Sequence, residues 1–412
     1  MAALLLSALL PLAAAVPCVQ FDASFNLYAF GGENDVSLGA ASSWSSPSPT
    51  TLSTTNRPPW TGNQTQCFLS QSNNAMYVYG GDASDLSSIY IYDFAANSWT
   101  VQATSGAPAT LGNSRSSAVL DHDTNVIYTI IGAGQSMYQL DLGSVTNTAS
   151  GTAAWSLVES PSFTTTNYDV TAALAANHIM YFGVPDTAAG SANVFVIHYA
   201  YFQPEVQAFP TTGSGSAFPD TVGQAVSLPT SENSTPYQML FVPEDFSGAY
   251  LVSHWTDLGN YSITSDSPMD LSLINSTQAF PTPSSKDTNA AYACSDSACV
   301  QVDSTGDIYY ITDAVSNYTV SSSATWSKMS YALTLSSSSS ATGAASGTDA
   351  ASGTATATGS GSAKAGSSTT KSSTSASGSS TAAASAAGRL GIRTDILGFT
   401  VGVAALVAAT LL

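Results

Sequence analysis

The chain has 412 residues, of which 8 are basic and 27 are acidic, giving a formal net charge of −19. This balance excludes a nucleic-acid-binding protein, because contacts to phosphate need clustered lysine and arginine side chains. Residues 16–335 carry 4 of the basic and 25 of the acidic side chains. Such an acidic surface would keep an extracellular protein soluble, with the binding of a cation or cationic ligand as the alternative.

The first 15 residues are predicted to be a signal peptide. Residues 4–15 form a short apolar run, and Ala13 and Ala15 are small residues at the spacing that a signal peptidase needs. Cleavage there would leave Val16 as the first residue. We therefore expect an exported protein whose folded region, residues 16–335, is one large all-β domain.

Strand-like segments followed by a turn recur along this folded region. The segment at 26–32 reads Asn-Leu-Tyr-Ala-Phe-Gly-Gly, and the segment at 75–81 reads Ala-Met-Tyr-Val-Tyr-Gly-Gly. The first four copies contain equivalent tyrosines that are 49, 51 and 53 residues apart, namely Tyr28, Tyr77, Tyr128 and Tyr181. Weaker copies follow at 237–242 and 298–311. The period predicts a repeated structural unit of about fifty residues.

The second unit resembles the kelch repeat, in which a diglycine ends one strand, a Tyr-Asp pair ends the next, and a tryptophan opens the last strand of a four-stranded blade. Glycine at such turns supplies backbone angles that a side chain would forbid, while tyrosine and tryptophan are large enough to fill the wedge between blades. The residues that match the motif in the first two units are Gly31, Gly32, Gly80, Gly81, Tyr92, Asp93 and Trp99.

This resemblance implies an all-β, kelch-like β-propeller over residues 16–335, with six blades favoured over seven. Each blade would have four strands, and the segment at Cys18 would be the innermost strand of the first. A pair of β-sandwiches is the alternative, because alternation within strands does not separate the two architectures.

Four cysteines in an oxidising compartment predict two disulfide bonds, with a zinc site as the rival interpretation. Three pairings are possible. Cys294 and Cys299 are separated by a hairpin-sized gap, whereas Cys18 and Cys67 begin two similar segments. We favour pairing Cys18 with Cys67 and Cys294 with Cys299.

Export also predicts N-glycosylation at Asn-x-Ser/Thr sequons, which must then lie on surface loops. The folded region contains five of them, at Asn63, Asn233, Asn260, Asn275 and Asn317. We expect about three to be used, because a chain rich in Asn, Ser and Thr produces some sequons by chance.

The C-terminal part of the sequence predicts a stalk and a lipid anchor. Residues 336–385 are almost only Ser, Ala, Thr and Gly, a composition that cannot bury a core and is typical of a disordered, O-glycosylated stalk. Residues 386–412 have a polar spacer followed by an uncharged apolar tail, which is typical of a glycosylphosphatidylinositol (GPI) signal that is removed on maturation. Ser385 is the predicted attachment residue. We therefore expect the protein on the outer face of the plasma membrane or in the cell wall, with the lipid as its one membrane contact.

No catalytic site can be assigned from the sequence. Kelch propellers include galactose oxidase and related copper radical oxidases, which need two histidines, two tyrosines and a free cysteine. Here each cysteine has a candidate disulfide partner, and we expect each histidine to stand alone as a structural or surface residue; the four are His122, His178, His198 and His254. Glycosidase chemistry needs two carboxylates at a fixed separation, and the 25 available single out no pair. We therefore expect no cofactor and no metal.

The favoured interpretation is a non-catalytic cell-surface or cell-wall propeller that binds an extracellular glycan or protein partner or has a structural role. Its stalk and anchor are similar in architecture to those of fungal cell-wall proteins. The alternative is a secreted copper-radical oxidase, or another glycan-active enzyme, on the same scaffold.

Overall fold

The computed structural model describes residues 17–62, 65–109, 111, 117–131, 136–209, 218–231, 235–254 and 273–335. The predicted signal peptide, stalk, GPI signal and Ser385 lie outside these residues, as do the sequons at Asn63, Asn233 and Asn260. Within the described residues the secondary structure is 27 β-strands and two short 3₁₀ helices, at Ala41–Ser43 and Ile197–Tyr199.

Six blades, each with at least four strands, follow one another along the chain, and the paired strands within each blade are antiparallel. Blade 1 contains β1 Cys18–Phe21, β2 Leu27–Phe30, β3 Val36–Gly39 and β4 Thr50–Thr51. Blade 2 contains β5 Gln66–Ser70, β6 Ala75–Tyr79, β7 Ile89–Asp93 and β8 Ser98–Ser105. Blade 3 contains β9 Ala118–Asp121, β10 Val126–Ile131, β11 Ser136–Asp141 and β12 Thr152–Glu159.

The second half of the ring repeats this plan with small additions. Blade 4 contains β13 Thr171–Ala175, β14 His178–Phe182, β15 Ser191–Val196 and β16 Tyr201–Phe202, with β17 Gln207–Ala208 also paired to β15. Blade 5 contains β18 Gly223–Leu228, β19 Gln238–Pro243, β20 Tyr250–His254 and β21 Ile274–Ala279. Blade 6 contains β22 Ala291–Cys294, β23 Cys299–Val302, β24 Asp307–Ile311 and β27 Ser327–Ala332, and between its last two strands lies a separate hairpin of β25 Val315–Ser316 and β26 Thr319–Val320.

The first strands of the six blades form a closed ring. These inner strands are β1, β5, β9, β13, β18 and β22; each contacts the inner strand of the next blade, and β22 returns to contact β1. The protein is therefore a six-bladed propeller, and the predicted all-β fold is confirmed. The seven-blade and sandwich alternatives do not describe this ring.

Ring packing explains which strands have continuous apolar sequences. The middle strands β6 and β7 are buried at every residue, because blades cover both of their faces. The outer strand β12 instead begins with exposed and buried residues in alternation, since one of its faces meets solvent. Near this outer edge, β12 also pairs in parallel with β8, which joins blades 2 and 3 into one eight-stranded sheet.

The aromatic motif residues fill the wedge between blades 1 and 2. Tyr92 is fully buried in β7, and its ring centroid lies 4.9 Å from that of Trp99 and 5.3 Å from that of Phe30 in blade 1. Asp93 accepts hydrogen bonds from the backbone N–H groups of Ala95 (2.8 Å) and Ala96 (3.0 Å), which holds the turn to β8.

The two diglycines lie at the ends of β2 and β6. Gly31 and Gly80 have φ angles of +91° and +68°, in the left-handed region that favours glycine. The second glycine of each pair permits close packing. A Cβ added to Gly32 would lie 2.9 Å from the Leu333 side chain, and one added to Gly81 would lie 2.9 Å from Pro58.

Ring closure uses the backbone that follows the last strand. Residues 333–335, which we call the closing segment, run from blade 6 to blade 1. The Leu333 N–H donates to Gly306 O (2.7 Å), the Glu33 N–H donates to Thr334 O (2.7 Å), and Gly32 forms an antiparallel bridge with Leu335. None of the strands that the structure describes in blade 1 is inserted into blade 6, so these contacts and side-chain packing hold the two end blades together.

Candidate functional site: the central channel

A cavity of about 320 Å³ runs along the axis of the ring. All six inner strands contribute to its lining, so we call it the central channel. Its volume lies at the lower end of the range of small-molecule sites in proteins.

Small side chains allow six strands to meet around this axis without filling it. Several inner strands place short apolar residues along the channel, for example Ala118 in β9, Ala172 in β13 and Ala291 in β22. Larger apolar side chains, including Phe68, Val226 and Tyr292, line other parts of the wall. The wall therefore combines narrow stretches of exposed backbone with apolar surface.

Polar side chains of the inner strands bridge neighbouring blades. The Gln20 amide donates to Cys67 O (3.1 Å), Gln66 Oε1 accepts from the Ala118 N–H (2.7 Å), and the Gln224 amide donates to Thr288 O (2.9 Å). An inner strand has no strand partner on its channel side, so its backbone groups need such side-chain partners. These glutamines therefore hold the ring together as well as lining the cavity.

The hydroxyl groups make the same kind of link on the other side of the ring. Ser117 Oγ donates to Ala172 O (3.1 Å) between blades 3 and 4, and Ser227 Oγ donates to Leu174 O (2.7 Å) between blades 5 and 4. The channel thus presents amide and hydroxyl groups around much of its circumference.

The channel lining carries no acidic, lysine or arginine side chain among the residues that the structure describes. Within the described lining, the titratable side chains are His122 and Tyr292. Burial lowers the pKa of His122, against the opposing effect of Asp123 and Asp121, and burial raises the pKa of Tyr292. The lining therefore stays largely uncharged near neutral pH, even though the protein as a whole is strongly acidic.

One hydrogen bond crosses the ring at the end where the inner strands finish. The Gln71 amide, in the turn after β5 of blade 2, donates to Thr230 O, just after β18 of blade 5 (3.0 Å). Blades 2 and 5 lie opposite each other in a ring of six, so this contact spans the axis. It narrows that end of the channel.

The four histidines do not stand alone, which corrects the expectation from the sequence. His254 is fully buried at the end of β20, and its Nε2 lies 3.0 Å from Nδ1 of His178 at the start of β14. Asp123 lies between the other two: its carboxylate oxygens are 3.1 Å from Nε2 of His122 and 3.9 Å from Nε2 of His198. Residues 76 apart in sequence meet because blades 4 and 5 are neighbours.

The histidine contacts do not amount to a preformed metal site. Across the described ranges, no group of three or more His, Cys, Asp or Glu side chains has an arrangement that could hold a metal ion.

A kelch motif is present in blade 2. The family model of the kelch motif matches residues 66–106, which begin with β5 and end just after β8. The chain is a six-bladed β-propeller with a kelch motif in its second blade. Within the matched residues of this propeller lie Gly80, Gly81, Tyr92, Asp93 and Trp99.

The propeller is similar in fold to a lectin of the fungus Aleuria aurantia. One crystal structure of that lectin, described as a six-bladed β-propeller with a novel fucose recognition mode, has 13% sequence identity and a TM-score of 0.43, and the match covers 78% of this chain and 96% of the lectin. A variant of the same lectin in complex with Fucα1-6GlcNAc has 14% identity and a TM-score of 0.45, with 80% and 100% covered. No curated protein matches this chain in sequence. The similarity is too low to transfer a binding site to this propeller.

Both disulfide bonds of the propeller are present. Cys18 in β1 is bonded to Cys67 in β5, so this bridge joins the inner strands of blades 1 and 2 at the channel wall. Cys294 is bonded to Cys299 across the hairpin between β22 and β23. The prediction of disulfide bonds is confirmed, and none of the four cysteines is left as a zinc ligand.

The two sequons within the described residues lie at the surface. Asn275 is exposed in β21, and Asn317 is exposed in the tight turn between β25 and β26. Both side chains could carry a glycan without disturbing the packing between blades.

Sequence reasoning missed the residues that build the channel. In the sequence, the three channel glutamines differ from their neighbours only in being polar residues within short strands; they are Gln20, Gln66 and Gln224. The strand pattern alone does not show which strand of a blade is innermost or what it faces.

Proposed function

We propose that the protein is a non-catalytic binding module whose central channel takes a neutral, hydroxyl-rich ligand, namely one or two sugar units of a glycan. The observation that supports this proposal is the uncharged wall of amides, hydroxyls and short apolar side chains in a protein of net charge −19. Amides and hydroxyls pair with sugar hydroxyl groups, while Phe68 and Tyr292 offer aromatic surface for the apolar faces of a sugar ring.

The charge distribution selects against charged ligands. The carboxylates of the described residues lie outside the channel, and their combined field would repel an acidic ligand before it reached the wall. A cationic ligand would meet no carboxylate once inside. A neutral ligand is not repelled by the acidic surface, and it needs no charged partner inside the channel.

The same wall disfavours catalysis. Glycoside hydrolysis needs a pair of carboxylates across the scissile bond, and the described lining supplies none. A copper radical oxidase needs a cysteine free for a thioether link to tyrosine, and all four cysteines are engaged in disulfide bonds. Binding without turnover is the function that these observations favour.

A matched pair of substitutions tests the channel. Val226→Phe adds an aromatic ring at the channel wall, whereas Val101→Phe makes the same change on the exposed outer strand β8. Binding of the secreted protein to neutral β-glucan and mannan, with acidic polygalacturonate as the comparison, should be lost in Val226→Phe and retained in Val101→Phe. Equal binding by both variants, with unchanged thermal unfolding, would show that the channel is not the binding site.

We also propose that the propeller is displayed outside the cell on its Ser/Thr-rich stalk and lipid anchor. The composition of residues 336–385 and the apolar tail within 386–412 support this location. Within the parts of the chain that the structure describes, no helix is both long and apolar enough to span a membrane. A phosphatidylinositol-specific phospholipase should release the protein from cells; release that instead needs detergent would contradict the anchor.

A further inference from the structure

Two exposed tyrosines lie on blade 4, outside the channel lining. Tyr199 ends the second 3₁₀ helix and Tyr201 begins β16, and they are 75% and 41% exposed. Their ring centroids are 6.5 Å apart, with an angle of 61° between the ring planes. The two rings therefore form an exposed, angled aromatic surface, which we call the aromatic corner.

The backbone holds this corner in place. Ala200, between the tyrosines, has φ 51° and ψ 49°, a left-handed conformation that costs a residue with a side chain roughly 1–2 kcal/mol. Its N–H donates to Ile197 O (3.0 Å), and the next side chain, Phe202, is buried against Phe195 with ring centroids 4.9 Å apart. Anchors on both sides keep the two tyrosine rings exposed.

Polar groups from blades 3 and 4 meet at His198. His198 precedes Tyr199 and has half of its side chain exposed, and its Nε2 lies 3.9 Å from the carboxylate of Asp123 in blade 3. The other oxygen of Asp123 contacts Nε2 of His122 (3.1 Å). Asp123 is thus held at the seam between blades 3 and 4, where its carboxylate can accept further hydrogen bonds.

The size of the corner indicates the class of ligand. A tyrosine contributes roughly 150–250 Å² of surface, so the exposed fractions of the two rings amount to roughly 170–290 Å². A stable protein interface needs about 800 Å² from each partner. The aromatic area is too small for that and suits a small ligand such as a single sugar unit.

We propose that Tyr199, Tyr201, His198 and Asp123 form a surface site for a neutral pyranose unit. The apolar C–H face of the sugar stacks on a tyrosine ring, while neighbouring hydroxyl groups donate to the Asp123 carboxylate and pair with the His198 imidazole. This site does not depend on the channel, and it stands if the channel binds nothing. A glycan attached to a surface could engage both sites on one propeller and gain avidity.

Saturation-transfer NMR on the complete secreted protein tests this site. The probes are the methyl α- and β-pyranosides of glucose, galactose, mannose and fucose. We expect transfer from the protein to at least one of them, with Tyr199→Ala and Tyr201→Ala each weakening the binding at least tenfold. His198→Gln should weaken it less, because glutamine keeps a hydrogen-bonding group.

Two variants serve as controls and separate the two sites. Leu157→Ala shortens another exposed apolar side chain, and Val226→Phe obstructs the channel; neither should change the signal that depends on Tyr199. Binding that survives both tyrosine substitutions but is lost in Val226→Phe would overturn the surface site and support the channel. The absence of transfer to all eight probes, or stronger binding of choline as a cation over the rings, would also overturn it.

Discussion

Removing each disulfide separately should reveal very different contributions to stability. The bridge Cys18–Cys67 joins residues 49 positions apart, whereas Cys294–Cys299 joins residues 5 apart. In the chain-entropy description, a closed loop of about 50 residues stabilises the folded state by about 4 kcal/mol, and one of about 6 residues by about 2 kcal/mol. Replacing both cysteines of a pair by alanine should therefore cost about twice as much free energy of unfolding for the first bridge.

Urea unfolding, followed by both fluorescence and circular dichroism, measures this difference. Coincident transitions are needed before a free energy is extracted, because a propeller of this size can unfold in stages. The Cys18→Ala/Cys67→Ala variant should also show a larger dependence on urea, since its unfolded chain is less compact. Equal losses for the two pairs, or a larger loss for Cys294→Ala/Cys299→Ala, would refute loop closure as the source of the stabilisation.

Three further substitutions test contacts between and within blades. Burial lowers the pKa of His178 to about 3. The stability that depends on its neutral form is therefore present above pH 6.5 and is lost as the pH falls towards 3. Between pH 6.5 and 5 the wild type should lose about 2 kcal/mol from this group. His178→Gln should flatten that part of the urea-unfolding profile and His198→Gln should not, whereas parallel profiles would contradict the assignment. Burial raises the pKa of Asp35 even though Arg57 lies 3.1 Å away. Arg57→Met should therefore cost about 3 kcal/mol at pH 7, and the cost should shrink as the pH falls and the carboxyl takes up a proton. A loss independent of pH would argue against this pair. Gly32→Ala should lower stability by about 1–3 kcal/mol, because the new Cβ would lie 2.9 Å from atoms of the closing segment; unchanged thermal unfolding would show that the segment can move aside.

The sequence predicted the fold through residues whose roles are local. Gly80 adopts a positive φ that favours glycine, and the rings of Tyr92 and Trp99 fill the wedge between blades. The same two requirements apply in every blade that keeps these residues. Blade 4 retains one such glycine, Gly183 with φ +63°, and blade 5 ends its second strand in Pro243 without one. The later blades still form because their middle strands are apolar enough to be buried on both faces.

The site could not be predicted in the same way, because it depends on distances across the ring. His178 and His254 are separated by 76 residues and meet through the neighbouring positions of blades 4 and 5. The parallel pairing of β8 with β12 and the contact of Gln71 with Thr230 likewise require the closed ring. Signal cleavage, sequon use and lipid attachment at Ser385 stay predictions.

The closing segment also determines how the propeller responds to mechanical load. A pull applied to the chain beyond residue 335 acts first on the backbone contacts of Gly32 and Glu33 with residues 334 and 335. These few hydrogen bonds would break one after another, and the apolar packing of blade 1 against blade 6 would then carry the load. The covalent link between Cys18 and Cys67 lies on the far side of blade 1, so it preserves blades 1 and 2 as a unit while leaving the seam with blade 6 free to open. Under shear, this propeller should therefore open at one defined seam.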